Sequence, residues 1–167
     1  MIILGIDPGT ATTGYGVIRI KNKSKSKRSK KITFECIEYG FIQTSPSFSA
    51  PERLRKINND LNKIIKKHQP SILAIESLYF FKNLKTAIPV SQAEGVILLT
   101  AAKKKIPVEF FTPLQVKSII TNNGWAKKEE VQKKIKRILK IKENLKPDDV
   151  ADALAIAVSS ALKNHLS

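Results

Sequence analysis

The chain has 167 residues, with 30 Lys and Arg against 14 Asp and Glu and a formal net charge of +16. That length supports one hydrophobic core and excludes a second domain, so residues 1–167 read as a single unit, and the charge favours a polyanionic partner, nucleic acid first, over a neutral small molecule. No stretch approaches membrane-spanning length, no basic amphipathic helix carries exposed aromatics, and a lone cysteine, Cys36, excludes an intramolecular disulfide.

The chain opens directly on an apolar run without a charged leader, which together with Cys36 points to a reducing, cytoplasmic setting. That run, Ile2 to Ile6, has strand length and ends in Asp7-Pro8-Gly9. Asp7 has two readings: a cap for its own turn, or a carboxylate delivered to the rim of a sheet. Gly14 to Ile20 completes a hairpin. Residues 21–31 hold lysines, an arginine, serines and an asparagine, with no apolar residue and no acid, and predict a mobile basic loop. A third strand runs from Ile32 to about Thr44, with Phe34 and Cys36 on its buried side and Ile37 a further candidate.

Ser49-Ala50-Pro51-Glu52 has the form of a capping box and opens a helix with Leu54, Ile57, Leu61, Ile64 and Ile65 at apolar spacing, ending before Pro70. His68, in its last turn, reads as a dipole-stabilised or solvated imidazole. Ser71 to Glu76 is again a short apolar run ending in an acid. A strand returning through a helical crossover is parallel to the first, so Glu76 would reach the same sheet edge as Asp7.

A helix is predicted from about Pro89 to Lys104, a fifth strand from Ile106 to Phe111, and a short helix capped at Thr112-Pro113 and broken at Asn122-Asn123-Gly124. A strongly basic helix follows from about Lys127 to Leu139. The last helix begins at Pro147-Asp148, with Asp148 as its N-cap, and is apolar nearly all round. Three antiparallel strands followed by strands alternating with helices make an α/β fold with a mixed five-stranded sheet, three strands antiparallel and two parallel, flanked by helices.

Asp149 and Asp152 are three apart and project from one face of that last helix. Standing alone, the pair would be dipole compensation. If the helix starts at the edge bearing Asp7 and Glu76, four carboxylates converge, and such a cluster needs cations to remain ionised. All-oxygen ligands without His or Cys select magnesium, with manganese as a substitute, over zinc. Two such ions about 4 Å apart suit in-line displacement at a phosphodiester. His68 and His165 both lie at helix ends, so no Ser-His-Asp or Cys-His arrangement competes.

Ile6-Asp7-Pro8-Gly9, Thr13-Gly14-Tyr15-Gly16-Val17-Ile18, Ala74-Ile75-Glu76, Lys82-Asn83, Gln92-Ala93 with Gly95-Val96, Val116-Lys117 and Asp149-Val150-Ala151-Asp152-Ala153-Leu154-Ala155 resemble, in order and over nearly the full chain, the RuvC-type Holliday junction resolvases. The resemblance implies an RNase H-like fold and a homodimer that nicks two opposing strands of a four-way DNA junction, with magnesium held by Asp7, Glu76, Asp149 and Asp152. It also implies DNA contacts through Lys82, through Lys117 and Lys128 beside the acids, and through Tyr79 stacking on junction bases. A RuvA-RuvB branch-migration complex is the implied motor partner. On its residues alone, Tyr79 could equally pack under its loop with Phe80 or Phe81. The chain departs from the family pattern in the extended basic loop, at Glu94 in place of Arg, at Asn122 in place of Gly and at Glu130 in place of Gln.

Other readings are an actin-like ATPase, which needs two lobes of this size, a non-catalytic nucleic-acid binder of the same shape, and a related nuclease acting on RNA. All four acids are present, against the second; nothing in one sequence reads sugar chemistry, so the third stays open.

Overall fold

The computed structural model describes residues 1–23, 31–77 and 84–166. Its elements are β1 (Ile2–Asp7), β2 (Thr12–Lys23), β3 (Lys31–Gln43), α1 (Ala50–His68), β4 (Ile72–Glu76), α2 (Leu84–Lys103), β5 (Val108–Phe111), α3 (Pro113–Thr121), α4 (Lys128–Leu139) and α5 (Asp148–Leu166). The five strands form one mixed sheet in the order β3-β2-β1-β4-β5. β1, β2 and β3 pair antiparallel, and β4 and β5 continue parallel to β1, as the alternation of strands and helices predicts.

Strand alternation sorts the core into two layers. Leu4, Ile6, Val17, Leu73 and Ile75 point to the face covered by α1 and α2, where Ile57, Leu61, Ala93 and Ile97 meet them. Ile3, Ile18 and Ala74 point to the other face, beneath Val116, Ile135, Leu154 and Ala157 of α3, α4 and α5. Helix α5 comes unusually close to the sheet. A Cβ on Gly5 would stand 2.2 Å from the Ala153 carbonyl oxygen, and one on Gly16 2.6 Å from Leu154 Cδ2. Only glycine leaves room there, and the small residues of α5 answer it.

Local signals explain several helix ends. Glu52 accepts from the Ser49 amide at 2.8 Å and from its hydroxyl at 2.7 Å, closing the entry to α1. Thr112 Oγ1 accepts from the Gln115 amide while Gln115 Oε1 accepts from the Thr112 amide, a reciprocal capping box that starts α3.

Elsewhere the structure corrects the expectation. The basic segment contributes Lys21 and Lys23 to β2 and Lys31 to β3, paired Lys21 with Thr33 and Lys23 with Lys31. Ladder bonds are made by backbone and need no apolar side chain; Glu35 further binds Arg19 at 3.1 Å and Lys21 at 3.0 Å. The remainder of that predicted loop, 24–30, lies outside the described residues. Helix α2 starts at Leu84 rather than Pro89, with the proline inside it. β5 starts at Val108, because the Ile106 amide is spent on the Ala101 carbonyl closing α2, after Lys105 turns left-handed at φ 56°. His68 sits in the last turn of α1 as expected but is not solvated: its ring is 8% exposed, with Nε2 3.0 Å from Glu38, which also accepts from Lys67 and from the Tyr15 hydroxyl.

Candidate metal centre and nucleic-acid face

Asp7 and Glu76 end neighbouring parallel strands. The ladder pairs Gly5 with Ala74 and Ile6 with Ile75, so the two acids occupy the next rung, on strands about 4.8 Å apart. Both lie on the α5 face, in step with Ile3 and Gly5 on β1 and with Ile72 and Ala74 on β4. The turn after Asp7 is pinned from two sides: Thr13 Oγ1 donates to the Gly9 carbonyl at 2.6 Å and Thr44 Oγ1 to the Thr10 carbonyl at 2.6 Å. Asp7 is therefore held at the rim by its neighbours.

Helix α5 supplies the other two acids. Gly14 is the register partner of Asp7, and a Cβ on Gly14 would stand 2.1 Å from the Asp149 carbonyl oxygen. The missing side chain lets the first turn of α5 rest on the strand beside Asp7, which brings Asp149, and Asp152 one turn later, to the same edge.

The electrostatics follow from this crowding. Burial, then the charges of Glu76, Asp152 and Asp149, push the Asp7 carboxyl up to about 8 against a partial offset from Lys128. Burial and Asp152 push Glu76 up to about 7, again opposed by Lys128. Asp152 is raised as well, by burial first, although Lys128 pulls it the other way. Buried like charges favour the protonated acid, and a bound cation favours the carboxylate.

Lys128 is the cation already present. Its Nζ lies 2.8 Å from Asp152 Oδ2 and 3.4 Å from Asp148 Oδ2. Burial lowers its pKa, but the hydrogen bond and charge of Asp152 outweigh that and the net shift is upward. Asp148 is accordingly not the N-cap. It is the first residue of α5, and its side chain faces α4, with Oδ1 3.4 Å from Gln132 Nε2. The sequence carries no direct sign of this, because Lys128 and Asp148 are twenty positions apart.

Beside the acids opens a cavity of about 190 Å3, with Glu76, Asp152, Lys117 and Lys128 at its polar side and Val116 and Val131 behind them. Among the described residues no three His, Cys, Asp or Glu side chains close into a ready-made metal cage. The donor set nonetheless suits a hard divalent cation: four carboxylates from three elements, no nitrogen or sulfur ligand, and two carboxyls whose pKa values are raised by burial first and by neighbouring acids second. Tyr79 and Lys82 lie outside the described residues. Among the described residues no helix is long and apolar enough to cross a membrane.

The family profile "Crossover junction endodeoxyribonuclease RuvC" matches residues 3–160. The chain belongs to the RuvC family. It is 47% identical over 161 residues to the RuvC of Desulforamulus reducens, covering 96% of this chain and 93% of that relative. Among solved structures, Thermus thermophilus RuvC superposes with a TM-score of 0.88 at 31% identity, over 99% of this chain and 96% of the other. The same protein in complex with Holliday junction substrate gives 0.87 at 29% identity, over 100% and 97%. The RNase H-like RuvC fold thus accounts for nearly the full chain, with the family profile matching residues 3–160, and a divalent-metal requirement comes with the family.

Proposed function

We propose that this RuvC-family chain is an endonuclease that resolves four-way DNA junctions by paired symmetric nicks, with residues 1–167 acting as one domain and Asp7, Glu76, Asp149 and Asp152 as its metal ligands. The observation that carries this reading is the convergence of those acids on one face of one sheet edge, in a chain of net charge +16. The Thermus relative solved with its junction substrate supplies the substrate class. Two magnesium ions, or manganese in their place, would supply an activated water and charge stabilisation for the departing oxygen.

The chain's own residues do the rest. Asp7 and Glu76 are fixed by strand ends and Asp149 and Asp152 by the first turns of α5, so the ligand set is positioned by the core rather than by loops. Lys128 neutralises Asp152 until DNA and metal arrive, and its ammonium is then available to a phosphate at the cavity mouth. Lys117 lines the same cavity, where it would hold the strand by charge rather than by base identity. Tyr79 and Lys82 are assigned to the DNA through the family resemblance. Two opposed nicks require two copies of the site, hence a homodimer, and a RuvA-RuvB complex would be the motor that presents the junction.

Purified protein incubated with labelled four-way junction, linear duplex and single-stranded DNA, each in magnesium and in EDTA, tests the proposal. Symmetric nicks confined to the junction and abolished by EDTA support it. Equal cleavage of duplex, or nicking that persists in EDTA, contradicts it.

A further inference from the structure

The turn between α3 and α4 displays the chain's single tryptophan, Trp125, with 86% of its surface exposed. Scattered exposed apolar residues are ordinary, but this one is the largest side chain available and its backbone is braced. Asn122 takes the left-handed conformation at φ 60° and its amide donates to the Ser118 carbonyl at 2.8 Å. Thr121 Oγ1 donates to the Asn123 carbonyl at 2.9 Å, and the Asn123 amide donates back to that hydroxyl at 3.1 Å. Asn123 Oδ1 accepts from the Trp125 amide at 3.0 Å, and the next residue, Ala126, is anchored in the core at 2% exposure. The ring is thus held out on a preformed turn, and little further backbone ordering would be needed to seat it against a ligand.

Its surroundings indicate which ligand. Lys127 and Lys128 follow it in the chain after Ala126, and Lys117 with Lys128 lines the cavity beside the acids. Lys128 is three residues on, so the Trp125 backbone lies within about 10 Å of a residue whose ammonium touches Asp152. A flat apolar ring displayed within a few residues of two lysines, at a cavity lined by Lys117 and Lys128, matches a nucleobase with its phosphates, since every base offers a π-face and lysines meet the backbone. We propose that Trp125 stacks on a nucleobase of the bound junction close to the cleaved strand, an inference that rests on the junction-resolvase reading above.

Because Trp125 is the sole indole, its own emission reports the contact. The full chain is titrated in EDTA, without cleavage, with four-way junction, while anisotropy of a labelled junction follows binding independently; heparin serves as a polyanion without bases. Strong quenching that saturates with the anisotropy signal and is not reproduced by heparin supports stacking. Trp125→Ala should weaken junction binding about 5- to 140-fold, the equivalent of about 1–3 kcal/mol for one stacked base, and Trp125→Phe should recover most of it. Neither variant should move the melting temperature. Unchanged emission at full anisotropy, equal quenching by heparin, or parental affinity in Trp125→Ala would overturn the inference while leaving the resolvase reading intact. A concentration-dependent emission shift without DNA would overturn it by showing the ring covered by a second copy. No anisotropy change at all would remove both.

Discussion

The ammonium of Lys128 lies 2.8 Å from Asp152 Oδ2, inside a cluster of acids in which burial and neighbouring charge push Asp7 and Glu76 toward protonation. A lysine so placed competes with a metal for Asp152 and repels it. Lys128→Met should therefore bind manganese several-fold more tightly than the parent, by about 3- to 10-fold for a half-exposed partner. It should also nick more slowly, since a cation for the DNA is lost. Manganese titration by electron paramagnetic resonance checks the first effect, and weaker metal binding in the variant would contradict it.

Metal-free stability should depend on pH through Asp7. Burial and neighbouring carboxylates raise its pKa to about 8 in the fold, whereas the unfolded chain releases that proton near 4. Between those values the native state holds the extra proton, so the stability tied to Asp7 is complete at low pH and lost as pH rises toward about 8. In EDTA, Asp7→Asn should gain on the parent across that window, by about 1–3 kcal/mol at its alkaline end. Magnesium should reverse the order at high pH by stabilising only the parent. Melting curves of both proteins from about pH 5 to about pH 9 supply the comparison; a parent that gains on the variant with rising pH in EDTA would refute the assignment.

Gly14 makes the packing argument testable. A methyl group there would stand 2.1 Å from the Asp149 carbonyl oxygen, and helix backbone cannot yield as a side chain can. Gly14→Ala should cost at least about 1–3 kcal/mol and lower the melting temperature, with nicking reduced further because Asp149 is lifted from Asp7. A parental melting temperature would mean that α5 does not rest on β2 as described.

Asp148 and Asp149 should separate cleanly. Asp148 is exposed and faces Lys128 and Gln132; both acids add charge to Asp152, but only Asp149 adds its charge to Asp7. Asp148→Asn should nick within about 3-fold of the parent, as expected for a weak surface pair, while Asp149→Asn should fall below detection at any magnesium concentration. Inactivity of Asp148→Asn alone would reverse the assignment.

Much of this was legible from local signals. Ile2–Asp7 and Ile72–Glu76 each end an apolar run on an acid, and a parallel crossover leaves few ways to arrange two such strands. Ser49 with Glu52 and Thr112 with Gln115 carry their caps within four residues. What stayed hidden depended on distant partners: His68 finds Glu38 thirty positions away, and Asp148 turns toward α4 because Lys128 is there. Pro89 marked a helix start by its usual preference, yet α2 begins five residues earlier and carries the proline inside. The sole tryptophan, right after an Asn-Asn-Gly turn and two residues before a pair of lysines, was a signal in plain view; only its exposure gave it meaning.

The central claim is that Asp7, Glu76, Asp149 and Asp152 form one metal centre that cuts junction DNA. The most direct test is to assay Asp7→Asn, Glu76→Gln, Asp149→Asn and Asp152→Asn for junction nicking in magnesium, with junction binding measured in parallel by gel shift. Each variant should lose at least about 100-fold in nicking rate while binding stays within about 3-fold of the parent, because the acids hold metal and the lysines hold DNA. A variant that nicks at the parental rate, or one whose binding falls in step with its nicking, would contradict the account.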